Sequence, residues 1–455
     1  MPPGSPPPAA PRGGPESLRI AYLVYRGNPH SGGQGVYTRH LTRELVSLGH
    51  QVTVLGGQPW PVLDEGVGWV PIPSLDLYRE PDPFRVPKPR EFRSLVDLGE
   101  FGLMCTAGFP EPWSFSLRAR RVLKQRLGDF DLIHDNQCLG TGLLGMLDDG
   151  WPLLATLHHP ITVDRDLELA DSHSLYRQMT LRRWYGFLRM QMRVAAQLPR
   201  IVTVSKSSAR DITAQMKVPA DRLHVVPVGV DHERFRPIAG VTRNPHLLIT
   251  TASSDVPLKG LVPLLEALAK VRTERPVELI VIGKQRKGSK IPATLARLGL
   301  QDSVRFVTGI DDEGLVRLYN EVAVAVVPSL YEGFSLPAIE AMACGTPLVA
   351  TTGGALPEVV GTDGDTGLLV PPGDVGALAD ALLRILDDDG LRNRLGAAGR
   401  QRVLRKFTWR ATAVGTVEEY RALLACGPGA SRRVPRGAAA PVPLTLGRPR
   451  PEPEL

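Results

Sequence analysis

The feature that most constrains this chain is a regular alternation of short β-rich runs with amphipathic helical stretches. "LRIAYLVYR" reads as a buried strand, "GVYTRHLTRELVSLG" as a helix ended by Gly49, and "HQVTVLG" as the next strand. Strand, helix and strand in that order form a βαβ unit, which predicts parallel pairing. The same half continues through "DLIHD", "PLLATLHH", "RIVTVS" and "LHVVPVGVD", closing near residue 231. A second series begins at "HLLITTAS" and passes through "VELIVIG", "SVRFVTG", "VAVAVVPS", "PLVATTGG" and "TGLLVPPG", with helices such as "GLVPLLEALAKVR" between. The pattern predicts two doubly wound α/β domains. Length agrees, because 455 residues and 43% hydrophobic content let each half bury a core of its own. The expected division is a disordered leader (1–16), two domains (17–237 and 238–407), a final helix (408–426) and a disordered, Pro- and Gly-rich tail (427–455). The stretch from about 58 to 120 shows no firm periodicity and reads as long loops and short helices. Ligands of such sheets sit beyond the carboxyl ends of the strands, so two facing sheets offer a cleft.

Charge and cysteine placement exclude several classes. The net +7 is concentrated in the tail and in residues 176–200, which together carry +9 and leave −2 for the rest. No helix-turn-helix, zinc spacing or aromatic-basic reading motif accompanies that charge, so a nucleic-acid partner is not expected. Cys105, Cys138, Cys344 and Cys426 form no C-x-x-C pair, which argues against a disulfide framework or a thiolate metal site and fits a reducing cytosol. No apolar run reaches membrane-spanning length, and "MPPGSPPPAAPRGGPE" has no apolar signal core. In "SLYRQMTLRRWYGFLRMQMRVAAQL", Trp184, Leu188 and Met192 share one helical face and Arg182, Arg189 and Arg193 another. Two readings stand: a core-facing stripe under a solvated basic face, or a helix lying on the anionic inner face of a membrane, where the acceptor would be a lipid.

Residues 329–350, "SLYEGFSLPAIEAMACGTPLVA", carry the strongest chemistry. A strand runs into the turn "LYEGF" and then a helix with Pro337 in its first turn and Gly345 just past its end. The amides of Gly333, Phe334 and Ser335 lie at a helix N-terminus, which attracts phosphate or sugar hydroxyls. Glu340 follows one turn later among apolar neighbours with no nearby cation in sequence. It reads either as the polar stripe of a half-exposed helix or as a carboxylate whose partner is a ligand, for which a vicinal diol supplies two donors.

"EGFSLPAIE" has Glu-x7-Glu spacing, and "FVTG...VPSLYEGFSLPAIEAMACGTPLVATTGGALPEVVG...GLLVPPGD" resembles the donor-binding domain of retaining nucleotide-sugar glycosyltransferases of family 4, with the GT-B fold of two Rossmann-like domains facing across a cleft. The resemblance covers about residues 18 to 424. It implies transfer of a hexose from a nucleotide diphosphate sugar, with 17–237 on the acceptor side, 238–407 on the donor side and the last helix crossing back to the first domain. By the same resemblance Glu340 holds the ribose hydroxyls, Glu332 lies beside the transferred sugar, and the amides of Gly333, Phe334, Ser335 and Leu336 contact sugar and phosphate. The resemblance also implies that Lys259 in "SSDVPLKG" faces the diphosphate, where its charge would stabilise the leaving group. The family's accompanying Arg is replaced by Ser254, followed by Asp255, and Lys284 or Arg286 either substitutes for it or belongs to a solvated loop. His158 in "PLLATLHHPI" corresponds to a His near the reacting centre, with His159 as the alternative.

"GNPHSGGQGVY" fails the dinucleotide fingerprint because Thr38 stands in the third glycine position after Gly33 and Gly35. Similar loops in the family shape the acceptor site, which makes Gly32 and Gly33 candidates there. Asp164 and Asp166 imitate a metal-binding D-x-D pattern, yet the resemblance implies neither metal nor cofactor, with Lys259 and the helix terminus in the cation's place. The expected partners are a nucleotide-sugar donor and a small-molecule, glycan or lipid acceptor. Rival readings are another GT-B enzyme, such as an epimerase or phosphorylase, and a non-catalytic nucleotide-sugar-binding protein, suggested by Ser254.

Overall fold

The computed structural model describes residues 17–28, 33–79, 81–172, 174–251, 256–284 and 289–426. The leader, the tail, Gly32, Ser254, Asp255 and Arg286 lie outside these residues.

Strands β1 (Arg19–Val24), β2 (Gln51–Gly56), β3 (Gly68–Pro71), β4 (Leu132–Asn136), β5 (Leu153–Thr156), β6 (Arg200–Thr203) and β7 (Leu223–Val225) form a seven-stranded sheet in the order 3-2-1-4-5-6-7. Strands β8 (Asn244–Thr251), β9 (Glu278–Ile282), β10 (Val304–Val307), β11 (Val322–Val327), β12 (Leu348–Thr351) and β13 (Leu368–Val370) form a six-stranded sheet in the order 10-9-8-11-12-13. Pairing is parallel in both, in register from Arg19 opposite Gln51 and from Leu247 opposite Glu278. Central strands are buried on both faces, as continuous apolar runs require: β11, "VAVAVV", has every residue buried.

Helices cover both faces. In the first half they are α1 (Gln34–Ser47), α2 (Leu95–Cys105), α3 (Glu111–Lys124), α4 (Gly142–Asp148), α5 (Thr162–Asp171), α6 (Leu175–Trp184), α7 (Leu188–Ala195) and α8 (Lys206–Met216). The second half adds α9 (Leu261–Val271), α10 (Ile291–Leu298), α11 (Asp312–Glu321), α12 (Leu336–Ala343), α13 (Leu356–Val360), α14 (Val375–Asp387), α15 (Asp389–Lys406) and α16 (Trp409–Cys426). Helix α16 packs on α1, and its Tyr420 hydroxyl lies 2.5 Å from Nδ1 of the buried His134 in β4. The path into the second sheet and the path out of it run side by side, with Val230 N–H donating to Phe407 O at 2.9 Å.

Two stretches gain detail. The stretch from about 58 to 120, read as long loops and short helices, also holds the strand β3, an 11-residue helix and the start of a 14-residue one. Residues 175–195 are two helices broken by a tight turn at Tyr185–Phe187. On them Leu188 is buried, Met192 packs on the core and Trp184 lies against Phe109, while Arg182, Arg189 and Arg193 are exposed. The apolar stripe therefore faces the protein. Among the described residues no helix is long and apolar enough to cross a membrane.

Candidate active site

In each sheet the strand order reverses between two neighbours, β1 and β4 in the first and β8 and β11 in the second, where a crevice opens at the carboxyl ends. The segments that follow these strands meet in a cavity of about 650 Å³. Its lining includes Gly33, His158, Lys259, Glu332, Gly333, Phe334, Ser335 and Leu336, which the sequence reading drew from both halves of the chain. Glu340 is not among the lining residues and sits one turn further along α12.

Lys259 ends a short turn, Pro257–Lys259, that hands the chain to α9 through Gly260. Gly260 has φ 65°, and a Cβ there would lie 1.9 Å from Pro328 O, so only glycine lets the two loops touch. The approach brings Lys259 Nζ to 2.8 Å from Glu332 Oε1, which also accepts from Ser329 Oγ at 2.7 Å. Lys259, expected to face a diphosphate, is thus paired with Glu332 across the two loops.

After Glu332 the loop turns through Gly333 and Phe334 into α12. Ser335, the residue before the helix, adopts φ 88° and ψ 85°, a left-handed conformation that side chains other than glycine's rarely take. Its hydroxyl is buried without a hydrogen-bond partner. The start of α12 therefore presents amide N–H groups and the positive end of the helix to the cavity, with the unused Ser335 hydroxyl enclosed beside them. Glu340, half-buried, accepts from the Tyr319 hydroxyl at 3.5 Å. Loss of solvent pushes its carboxyl up to about 7, the charge of Asp312 adds to the rise, and the Tyr319 hydrogen bond opposes it.

His158 comes from the other domain, just past β5. Its amide donates to Gln137 Oε1 at 2.8 Å, and Gln137 Nε2 donates to His159 O at 3.1 Å, so one side chain fixes the turn. His158 Nε2 lies 2.9 Å from Asn136 Oδ1, while Asn136 Nδ2 donates to Thr38 Oγ1 at 3.1 Å. That amide orientation makes Nε2 of His158 the protonated nitrogen. Burial, reinforced by the charge of His159, pushes the imidazole down to about 3 and keeps it neutral. Tyr37, one turn into α1, sets its ring edge-on to His158 at 4.6 Å, and Trp409 of α16 joins the same wall.

Sequence reasoning missed Tyr37, Gln137 and Trp409, although Tyr37 follows the glycine-rich loop by one helical turn. Gly33 has φ 71° and precedes α1. Gly35, inside α1, has no room to spare: a Cβ there would fall 2.0 Å from Asn28 O. Among the described residues no group of three or more His, Cys, Asp or Glu comes together as a metal site, and the Asp164 side chain lies outside them.

Two Rossmann-like domains with a shared cavity at their carboxyl ends define the GT-B fold. Residues 31–234 match the model described as Glycosyltransferase Family 4, and residues 238–402 the one described as Glycosyl transferases group 1. The chain belongs to glycosyltransferase family 4 and is a transferase enzyme. It is 53% identical over 409 residues, 90% of this chain and 99% of the relative, to the MMP α-(1→4)-mannosyltransferase of Mycolicibacterium hassiacum. It is 31% identical over 426 residues, 89% and 94% of the two chains, to a D-inositol 3-phosphate glycosyltransferase of Kribbella flavida. Among solved structures it resembles sucrose-phosphate synthase from Thermosynechococcus elongatus, with a TM-score of 0.65 and 25% identity over 90% of this chain and 99% of that one. Anabaena HepE in complex with UDP follows at 0.63 and 18%, over 89% and 100%.

Proposed function

We propose that this enzyme transfers mannose, with retention of the α configuration, from a nucleotide diphosphate sugar to the 4-hydroxyl of a saccharide acceptor. The observation that carries the reading is the meeting of Lys259, Glu332 and the start of α12 with His158 of the opposite domain in one cavity. The likeness to an α-(1→4)-mannosyltransferase along nearly the whole chain supports the sugar and the linkage.

In this reading the diphosphate lies against the amides at the α12 N-terminus and takes Lys259 from Glu332. Glu332 Oε1 is thereby released to a sugar hydroxyl, so donor binding exchanges one ion pair for another. The bond between the anomeric carbon and phosphate oxygen breaks as the acceptor oxygen bonds to that carbon on the same face. The acceptor proton passes to the departing phosphate, whose charge Lys259 and the helix terminus hold. Neutral His158 orients the sugar, and Glu340 accepts from the ribose hydroxyls. Lys259 and the helix terminus take the cation's part, so activity persists in a metal chelator.

The test is incubation with GDP-, UDP- and ADP-mannose and a short α-mannoside. Linkage analysis and the one-bond carbon–proton coupling at the new anomeric centre read the product. An α-(1→4)-linked mannose is expected; a β product, or no transfer from any nucleotide mannose, overturns the reading.

A further inference from the structure

The loop that opens α12 is held from the other domain. The Gly333 carbonyl accepts from Ser205 Oγ at 2.7 Å and from Ser208 Oγ at 3.1 Å, both belonging to the first turn of α8. Ser205 Oγ also accepts the Ser208 N–H at 2.9 Å and so caps α8 while reaching across the cleft. Beside it, the Glu358 carboxylate of α13 accepts the amide N–H groups of Lys206 and Ser207, each at 2.8 Å. A carboxylate from the second domain thus satisfies the positive end of a helix in the first. One turn further along α8, Asp211 receives the Tyr331 hydroxyl. Both neighbours of Glu332, Tyr331 and Gly333, are therefore tied to the same helix. The approach is close: a Cβ at Gly333 would lie 3.3 Å from Ser208 Oγ and 3.4 Å from His159 Cβ, so a larger residue there would press on the bridging hydroxyl.

Geometry gives these bonds a function beyond adhesion. A trans peptide points its carbonyl and the following N–H in opposite directions. Drawing Gly333 O towards α8 sets the direction of the Phe334 N–H, one of the amides at the start of α12. We propose that Ser205 and Ser208, braced by Glu358, are positioning residues that set the Gly333–Phe334 peptide from the opposite domain, so the donor end of the cavity is complete only while the two domains are docked through α8. The proposal rests on reading the start of α12 as the donor end.

The experiment compares Ser205→Gly/Ser208→Ala with Ser205→Thr. Glycine serves as an N-cap nearly as well as serine, so the first variant removes both hydroxyls and leaves α8 capped. Threonine keeps a hydroxyl in both roles. In steady-state transfer the double variant is expected to raise the KM for the nucleotide sugar about tenfold, the size of one or two lost hydrogen bonds, with the acceptor KM unchanged and threonine near wild type. Hydrogen–deuterium exchange across residues 331–336 is expected to quicken in the double variant alone. Wild-type donor KM or unchanged exchange in the double variant overturns the proposal, as does a threonine variant equally impaired. Absence of transfer by the unmodified enzyme would refute the proposed function, and the exchange measurement would still decide this inference.

Discussion

Ser335 offers a test in which stability and affinity move in opposite directions. Its φ of 88° and ψ of 85° hold a serine where glycine rests without strain. Such a conformation costs a side-chain-bearing residue about 1–3 kcal/mol. Ser335→Gly removes that cost but loosens the unfolded chain, which returns about 0.4–1 kcal/mol. The net gain is about 1 kcal/mol, which in a domain of this size raises Tm by roughly 2–4 °C. Against this, Ser335 lines the cavity, and its hydroxyl is buried and unpartnered. A hydrogen bond from it to a bound donor is worth about 1–3 kcal/mol, so its loss raises the donor KM about tenfold or more. Calorimetric melting without ligand reads the first effect and initial rates against nucleotide-sugar concentration read the second. Ser335→Ala shares the loss of affinity while keeping the strain, so the Tm difference between the two variants isolates the backbone contribution. A glycine variant no more stable than the alanine one would refute the strain argument. A glycine variant with wild-type KM would refute the role of the hydroxyl.

Three further outcomes are expected. Lys259→Ala lowers kcat by about a hundredfold or more, because the leaving diphosphate loses its cation; undiminished turnover would remove Lys259 from the mechanism. The Glu340 carboxyl, raised to about 7, must ionise for both of its oxygens to accept from a diol, so donor affinity measured by titration calorimetry rises as pH passes upward through about 7, and Glu340→Gln flattens that rise. Since the folded value lies above the unfolded one, the charged group costs stability above about pH 7. That cost fades as pH falls towards its ordinary range, so Glu340→Gln stabilises the ligand-free enzyme at high pH only. Tyr420→Phe leaves Nδ1 of buried His134 unpaired and destabilises the first domain by about 1–3 kcal/mol in denaturant titration, with transfer per folded molecule unchanged.

The parallel sheets were legible because their central strands are unbroken apolar runs, and the start of α12 because Pro337 and Gly345 mark its ends. Helix α2 was not legible by apolar periodicity because it is inverted. It turns Asp97 and Glu100 inward onto Arg118 of α3 and leaves Leu95 and Leu98 in solvent. Helix α3 buries Phe115, Ala119 and Leu123 at helical spacing, a readable stripe obscured by the Pro-rich stretch before it. Within the site, Glu332 and Lys259 stand in recognisable motifs, but their pairing joins loops 73 residues apart and depends on Gly260 clearing Pro328. Gln137 and Asn136 left no signal of their own, since their work is to hold a histidine whose position only the folded sheet determines.

The passage of α16 onto the first domain also bears on synthesis at the ribosome. Trp409, Ala413, Val417, Tyr420 and Leu423 belong to the same apolar cluster as Tyr37, Leu41 and Leu45, so the half translated first waits for the last 18 described residues to finish its interior. A nascent chain halted after the second sheet would carry an intact later half and an earlier half with an open apolar face. Premature termination there would therefore be felt first at the opposite end of the polypeptide.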